Sequence, residues 1–302
     1  MTAKENLYTI LKKPCYGIAR WLGRTNPELL VRIRYFLRFH KPLNLENPQT
    51  LNEKILYLSL RTDTSKWTEL ADKYEVRKYV KGKGFEDNLV KLYGVYDHVE
   101  DIDWNQLPNQ FVIKTTFGSG DSIIVTDINK IDKQKLITTL NANLKSHYGE
   151  LEGGKHYYHI PHRIVIEEYI ANDEESAKHS TSLIDYKIWC INGEANYILV
   201  CCNRDLHGTD LLTYDLEWNA HPEYSVFSPH HRQGKVIPKP DNLEAMLQMA
   251  ESLSEGFPVV RVDLYNIGGK IYFGEMTFTS LGGMMDYYTQ EFLLELGKKV
   301  NL

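Results

Sequence analysis

The sequence predicts an α+β chain, in which antiparallel hairpins and amphipathic helices occupy separate stretches. Three observations predict it. Residues 259–265 and 271–277 are apolar, β-branched and aromatic runs joined through Asn266-Ile267-Gly268-Gly269-Lys270, a turn that tolerates positive φ. Residues 111–125 read as strand, a small Gly118-Ser119-Gly120 loop, and a second strand where a phosphate-loop protein would have a helix. Residues 133–148 and 243–253, set apart from these hairpins, follow helical spacing.

Composition bounds what such a chain does. Its 302 residues are 42% hydrophobic and 25% charged, which is enough to bury a sizeable core in two or three domains. A net charge of -5 argues against general nucleic-acid binding. Cys15, Cys190, Cys201 and Cys202 show no metal-like spacing and read as small buried hydrophobes of a reducing cytosol. No apolar run approaches the roughly 20 residues that span a bilayer, and Met1 to Lys13 lack a signal-peptide core, so the expected location is cytoplasmic.

In chain order, residues 12–41 are strongly basic, with Lys12, Lys13, Arg20, Arg24, Arg32, Arg34, Arg38 and Lys41 against Glu28. Pro27 opens a helix there, along which Leu29, Ile33, Phe36 and Leu37 follow helical spacing while Arg34 and Arg38 take another side. Two readings stay level: a helix docked on the core, or one lying on the anionic inner face of a membrane or against a membrane assembly. Thr50-Leu51-Asn52-Glu53 reads as a capping box opening a second helix. A third, from about Lys66 through Tyr79, places Lys73 and Arg77 one turn apart, a cationic pair able to meet phosphate or simply be solvated. Leu89 to Tyr96 reads as a strand.

Lys114 lies inside the apolar run 111–115, where a lysine needs an anion to offset desolvation, and so invites a phosphate. The glycines beyond it let backbone N–H groups approach phosphate oxygens. His156, His159 and His162 are evenly spaced, but Pro161 breaks any helix that would align them on a metal. The strand 163–170 runs into the polar stretch 172–180, a hinge between two subdomains. Around Asn192-Gly193 a further hairpin forms, whose Asp185 and Lys187 share a face. Residues 203–233 read as a long loop with short extended pieces, suited to substrate contacts. Glu291 to Val300 closes the chain.

The 259–277 hairpin carries one acid on each arm. A two-residue Gly268-Gly269 turn would set Asp263 opposite Gly274, whereas a three-residue Gly268-Gly269-Lys270 loop would set it opposite Glu275. The second is expected. Paired carboxylates repel unless a cation joins them, and such hard oxygens suit Mg²⁺ with phosphate oxygens completing its shell.

Taken in order, Leu70-Ala71-Asp72-Lys73-Tyr74-Glu75-Val76-Arg77, the run 114–120, Ile166 to Ile170, Asp185-Tyr186-Lys187, Arg261 to Tyr265 and Gly274-Glu275-Met276-Thr277-Phe278 resemble the ATP-grasp superfamily, specifically its TupA-like (teichuronopeptide biosynthesis) branch, over roughly residues 50–300. The resemblance implies an ATP-grasp fold with two α+β subdomains gripping a nucleotide. The expected division is a basic helical segment (1–50), a lead-in (51–110), an N-subdomain with the glycine-rich loop (111–172) and a C-subdomain with the metal hairpin (173–302). It implies that Lys73 and Lys114 meet ATP phosphates under Gly118, Ser119 and Gly120. Glu167 would receive the adenine amino group, the backbone of Glu168, Tyr169 and Ile170 would complete the adenine edge, and Asp173 or Glu174 would hold ribose. Asp263, Glu275 and Thr277 would hold Mg²⁺, with Thr277 standing where many relatives carry Asn. Lys187, Arg204 and Arg261 would stabilise the transferring phosphoryl group and the acyl phosphate. The implied activity is carboxylate–amine ligation in surface-polysaccharide synthesis, against a sugar kinase or a non-catalytic nucleotide-binding scaffold at a membrane.

Overall fold

A computed structural model describes residues 16–302; Lys12, Lys13 and Cys15 lie outside the described residues. Two antiparallel-rich sheets organise the chain. The smaller has four strands in the order β1-β4-β2-β3: β1 (Leu92–Tyr96), β2 (Phe111–Thr115), β3 (Ile123–Val125) and β4 (Ile164–Glu168). Helix Lys133–Leu144 covers it, burying Leu136 and Leu140 against Phe111, Ile113, Ile164 and Ile166. The larger has six in the order β10-β9-β5-β6-β7-β8: β5 (Asp185–Ile191), β6 (Glu194–Cys202), β7 (Thr209–Tyr214), β8 (His231–Gln233), β9 (Val259–Ile267) and β10 (Lys270–Thr277). Its core packs against helices Leu51–Arg61, Leu243–Ser254 and Gln290–Lys299, and β5 is buried along its whole length. Each fully buried Val, Leu or Ile there contributes about 1.5–3 kcal/mol. The result is the expected α+β architecture of two subdomains preceded by helices.

Local chemistry explains the element ends. Asn26 caps helix Pro27–Phe39 by accepting from the Leu29 N–H, with Pro27 in the first turn. Thr50 and Glu53 form the expected reciprocal capping box on helix Leu51–Arg61. Asn192 and Gly193, at φ 53 and 86, make the tight turn between β5 and β6. Cys190, Cys201 and Cys202 are free and buried. Among the described residues no helix is long and apolar enough to cross a membrane.

Three expectations need correction. The hairpin turn is the two-residue Gly268-Gly269, with Lys270 paired to Ile267; the extra residue sits instead in a β-bulge at Gly274. Asp263 still faces Glu275, because the bulge shifts the register by one between Phe273 and Glu275. The helix expected from Lys66 to Tyr79 breaks into Ser65–Ala71 and Val76–Gly82. Asp72 causes the break, its carboxylate accepting from the Tyr74 and Glu75 N–H groups while Arg163 grips its other oxygen at 2.8 Å. The stretch 203–233 is the expected loop with short extended pieces, which are β7 and β8, and Leu211 to Tyr214 of β7 are buried inside the large sheet. Finally, β1 begins at Leu92 and the helix from Lys133 stops at Leu144, each shorter than its apolar pattern.

The N-terminal helices turn an unexpected side inward. Helix Pro27–Phe39 buries Leu30, Val31 and Tyr35, the last two against Leu56 and Leu60 of the next helix, and leaves Leu29, Ile33, Phe36 and Leu37 exposed. Its arginines reach back to the body of the protein: Arg34 to the Leu151 carbonyl and Glu152, and Arg38 to Asp286 at 2.7 Å.

Candidate nucleotide and metal site

β2 and β4 pair so that Val112 opposes Glu167 and Lys114 opposes Val165, which puts Lys114 and Glu167 on one face of the small sheet. They meet at 2.6 Å, and Arg77 reaches the other Glu167 oxygen at 3.1 Å. The anion that the buried lysine needs is therefore present within the chain. Lys73, freed from helix geometry by the Asp72 break, donates its backbone N–H to Thr116 and its ammonium to the Gly118 carbonyl. Burial lowers its pKa and Lys114 adds to that, with Glu275 pulling the other way. Lys73, Arg77, Lys114 and Glu167 line one cavity with Val90, Tyr265, Phe273 and Gly274. Lys73 and Arg77 are thus neighbours by tertiary placement, since they do not share a helix face.

The glycine-rich loop is held at its base by Asp121. This carboxylate accepts from the Thr115 N–H at 3.0 Å and from the Thr115 hydroxyl, which in turn accepts from the Gly118 N–H at 3.1 Å. Ser119 and Gly120 stand exposed above it, with Gly120 at φ 74. Sequence reasoning did not single out Asp121, although an acid directly after a Gly-Ser-Gly run is a signal that could have found it.

Across the cavity stands the hairpin. β9 lies between β10 and β5, so Asp263 faces Glu275 on one side and Lys187 on the other. Asp263 is only 2% exposed. Arg261 grips it through two bonds of 2.7 Å, Lys187 donates to the same carboxylate, and Lys187 also meets Asp185 at 2.6 Å. Arg204 joins at Asp185, 3.1 Å away, and Arg261 continues to Ser280 at 2.6 Å and Thr277 at 3.1 Å. Burial works against the charge of Asp263, but Arg261 and Lys187 outweigh it and lower its pKa. Burial likewise opposes the Lys187 charge, which Asp185 and Asp263 more than restore. The Asp185–Lys187 pair is thus part of a buried network.

Glu275 differs from Asp263: it is 47% exposed and accepts from the Thr277 hydroxyl at 2.9 Å. Among the described residues no cluster of three or more His, Cys, Asp or Glu marks a self-sufficient metal site. The donor set fits Mg²⁺ nonetheless, because that ion characteristically takes one or two carboxylates and fills its shell with substrate phosphate and water. Glu275, Thr277 and Asp263 would hold it, with Arg261 and Lys187 sharing Asp263.

The remaining expected residues are placed less closely. Asp173 caps helix Glu174–His179 with one oxygen, through the Ser176 N–H at 2.7 Å, and with the other accepts the Gly268 N–H at 2.6 Å, tying the hinge to the hairpin tip. Glu168, Tyr169 and Ile170 follow Glu167 out of the small sheet, half-buried. The three histidines do not converge on a metal: His156 is buried between Trp67 and Tyr157 with both ring nitrogens unpartnered, and His162 stacks on Phe117. A second cavity opens beside the glycine-rich loop, lined by Phe117, His147, Tyr148, Tyr157, Tyr158 and His162. Burial raises the Tyr148 and Tyr157 pKa values.

Residues 53–301 match the family model described as TupA-like ATPgrasp. Among solved structures, the chain is similar to the D-alanine–D-alanine ligase of Bacillus anthracis, at 16% identity over 84% of this chain and 76% of that one, with a TM-score of 0.47. It is similar to the D-alanine–D-alanine ligase of Helicobacter pylori at 13% identity over 84% and 70%, TM-score 0.44. A D-cycloserine synthetase, DcsG, matches at 12% identity over 82% and 77%, TM-score 0.45. Likenesses this distant carry no argument about chemistry. No curated protein matches the sequence. With the family model running through both sheets and every element of the site, the chain belongs to the TupA-like ATPgrasp family and so to the ATP-grasp superfamily.

Proposed function

We propose that the protein is an ATP- and Mg²⁺-dependent carboxylate–amine ligase working through an acyl phosphate. One observation carries the reading: Lys73, Arg77 and Lys114 stand on one wall of a cavity whose other wall is the hairpin bearing Asp263 and Glu275. Cations that receive a triphosphate therefore face acids suited to its metal. Transfer of the γ-phosphoryl group to a carboxylate oxygen releases ADP; an amine nitrogen then attacks the acyl carbon, and the C–O bond to phosphate breaks. Bound Mg²⁺ neutralises charge on the phosphates.

The chain's own groups do the rest. Lys114 and Arg77, paired with Glu167, are already oriented and can turn part of their charge to phosphate, while the Thr115–Asp121 clasp sets the loop's N–H groups. Arg261 and Lys187 offer fixed positive charge that needs no reorganisation when the transferring group builds up negative charge. The acid we favour is a uronic acid of a bacterial surface polysaccharide, joined to an amine or amino acid; family membership supports that choice.

Thermal unfolding with ATP, with and without Mg²⁺, tests the nucleotide site. A ligand at 100 times its Kd stabilises by about 2.7 kcal/mol. A Mg²⁺-dependent upward shift that Glu275→Gln loses is expected, followed by phosphate release that requires both a uronic acid and an amine. Absence of any shift at millimolar ATP overturns the reading, and a stable phosphorylated product formed without amine replaces it with a kinase.

A further inference from the structure

Large exposed apolar side chains are unevenly distributed over the molecule. Tyr16, Ile18, Trp21, Leu29, Ile33, Phe36 and Leu37 all belong to the first described helices, whereas Ile124, Leu206, Val226, Val236, Leu281 and Leu302 are scattered over the rest. On helix Pro27–Phe39, Leu29, Ile33, Phe36 and Leu37 stand at i, i+4, i+7 and i+8, which draws one continuous stripe on the face opposite the buried Val31 and Tyr35. Ile18 and Trp21, one turn apart in the preceding helical residues, are exposed as well; Trp21 is 63% and Leu37 68% exposed. A contiguous apolar stripe of this kind on a water-facing surface marks an interaction site.

Charge identifies its partner. Arg20 and Arg24 share one acid, Glu150, which leaves a positive surplus at the start of the stripe. At its end Lys41 rests on the neutral amide of Gln290. Arg32 and Arg34 flank the stripe on its two sides by helical position, each paired to an acid of the protein, Glu28 and Glu152. Two copies of this face would bring like-charged ends together, but an anionic lipid surface would attract them. The helix is about 20 Å long, too short to span a bilayer and suited to lying in its headgroup layer.

We propose that this N-terminal helical face is a membrane-docking surface, with Trp21, Leu29, Ile33, Phe36 and Leu37 entering an anionic lipid interface and the unbalanced cations at its ends meeting the headgroups. The two helices are tied rigidly to the catalytic body. Arg20 and Arg24 hold Glu150, Arg34 holds Glu152, and the Tyr158 hydroxyl donates to the Gly23 carbonyl at 2.7 Å. Docking would thus fix the orientation of the whole protein on the surface.

Co-sedimentation of the full chain with phosphatidylcholine vesicles, with and without phosphatidylglycerol, tests this. Binding to the phosphatidylglycerol vesicles is expected, weakened but not abolished by salt, since the apolar part is not screened. Combined Trp21→Ser, Phe36→Ser and Leu37→Ser should lower the affinity by about tenfold or more with an unchanged unfolding midpoint. Should that variant not fold, Arg24→Glu with Lys41→Glu decides alone, by losing the preference for phosphatidylglycerol. No binding by the wild type, or equal binding by the variants, overturns the proposal. Light scattering that shows a dimer split by the triple substitution overturns it too, by assigning the face to a second copy.

Discussion

The two walls of the site hold their charges in different ways. On the hairpin wall, Asp263 sits in a strand flanked by two others, gripped from both sides by Arg261 and Lys187, and these in turn engage Ser280, Thr277 and Asp185. Moving any one of them takes a partner from a buried charge. On the opposite wall, Lys114, Arg77 and Glu167 form a smaller group at the edge of a cavity, beneath a loop clasped chiefly by Asp121. Its partners can be exchanged for phosphate at modest cost. A site built from a rigid wall and an adaptable one keeps the reacting centre fixed while admitting and releasing a nucleotide.

Removing a member of the rigid wall should therefore have the largest effect. Arg261→Ala leaves Asp263 buried with Lys187 alone and frees Ser280, and should cost about 3–5 kcal/mol in denaturant unfolding. A loss below about 1 kcal/mol would mean the network relaxes as readily as a surface pair.

The joint between the walls comes next. His156 packs on Trp67, which stacks on Phe278 just beyond β10, and burial holds its pKa down to about 3. Unfolding restores the ordinary value near 6.5, so between these values the unfolded chain binds more protons and stability falls as pH falls. The loss should total about 5 kcal/mol across that window. His156→Phe should flatten this acid limb in unfolding measured against pH; an unchanged slope would mean the imidazole is reached by water or a partner before the fold opens.

On the adaptable wall the expected effect is smaller and falls on binding. Lys114→Met removes one charge-assisted contact to phosphate and releases Glu167 to Arg77 alone, which should weaken ATP by about 1.5–3 kcal/mol, or roughly 10- to 100-fold in Kd by titration calorimetry. Folding stability should fall by less than in Arg261→Ala, because Glu167 keeps Arg77 and lines the cavity. If it fell as far as in Arg261→Ala, the two walls would be equally rigid and the contrast between them would fail.

Much of the architecture was legible in the residues themselves. The three hairpins follow from period-two runs and glycine or Asn-Gly turns, and the capping box at Thr50 and the proline start at Pro27 are local chemistry that operates wherever the helix lies. The charged residues of the site were likewise visible: Lys73, Lys114, Asp263 and Glu275 are ionisable groups set in or beside apolar runs, where an unpaired charge is expensive.

Tertiary structure decided who meets whom. The pairing of Asp263 with Glu275 is right for a reason no hairpin rule contains, since the bulge at Gly274 supplies the missing residue. Asp72 breaks a helix because Arg163, ninety-one positions away, holds its second oxygen. Lys114 finds its anion in Glu167 from another strand, and the apolar stripe that helical spacing drew at Leu29, Ile33, Phe36 and Leu37 faces outward. Local sequence determines periodicity, turns and caps, because these depend on atoms within about one helical turn or one strand pair. Partners for charges, strand register past a bulge, and the choice of which helix face turns inward depend on groups far along the chain, and only the folded arrangement brings those into reach.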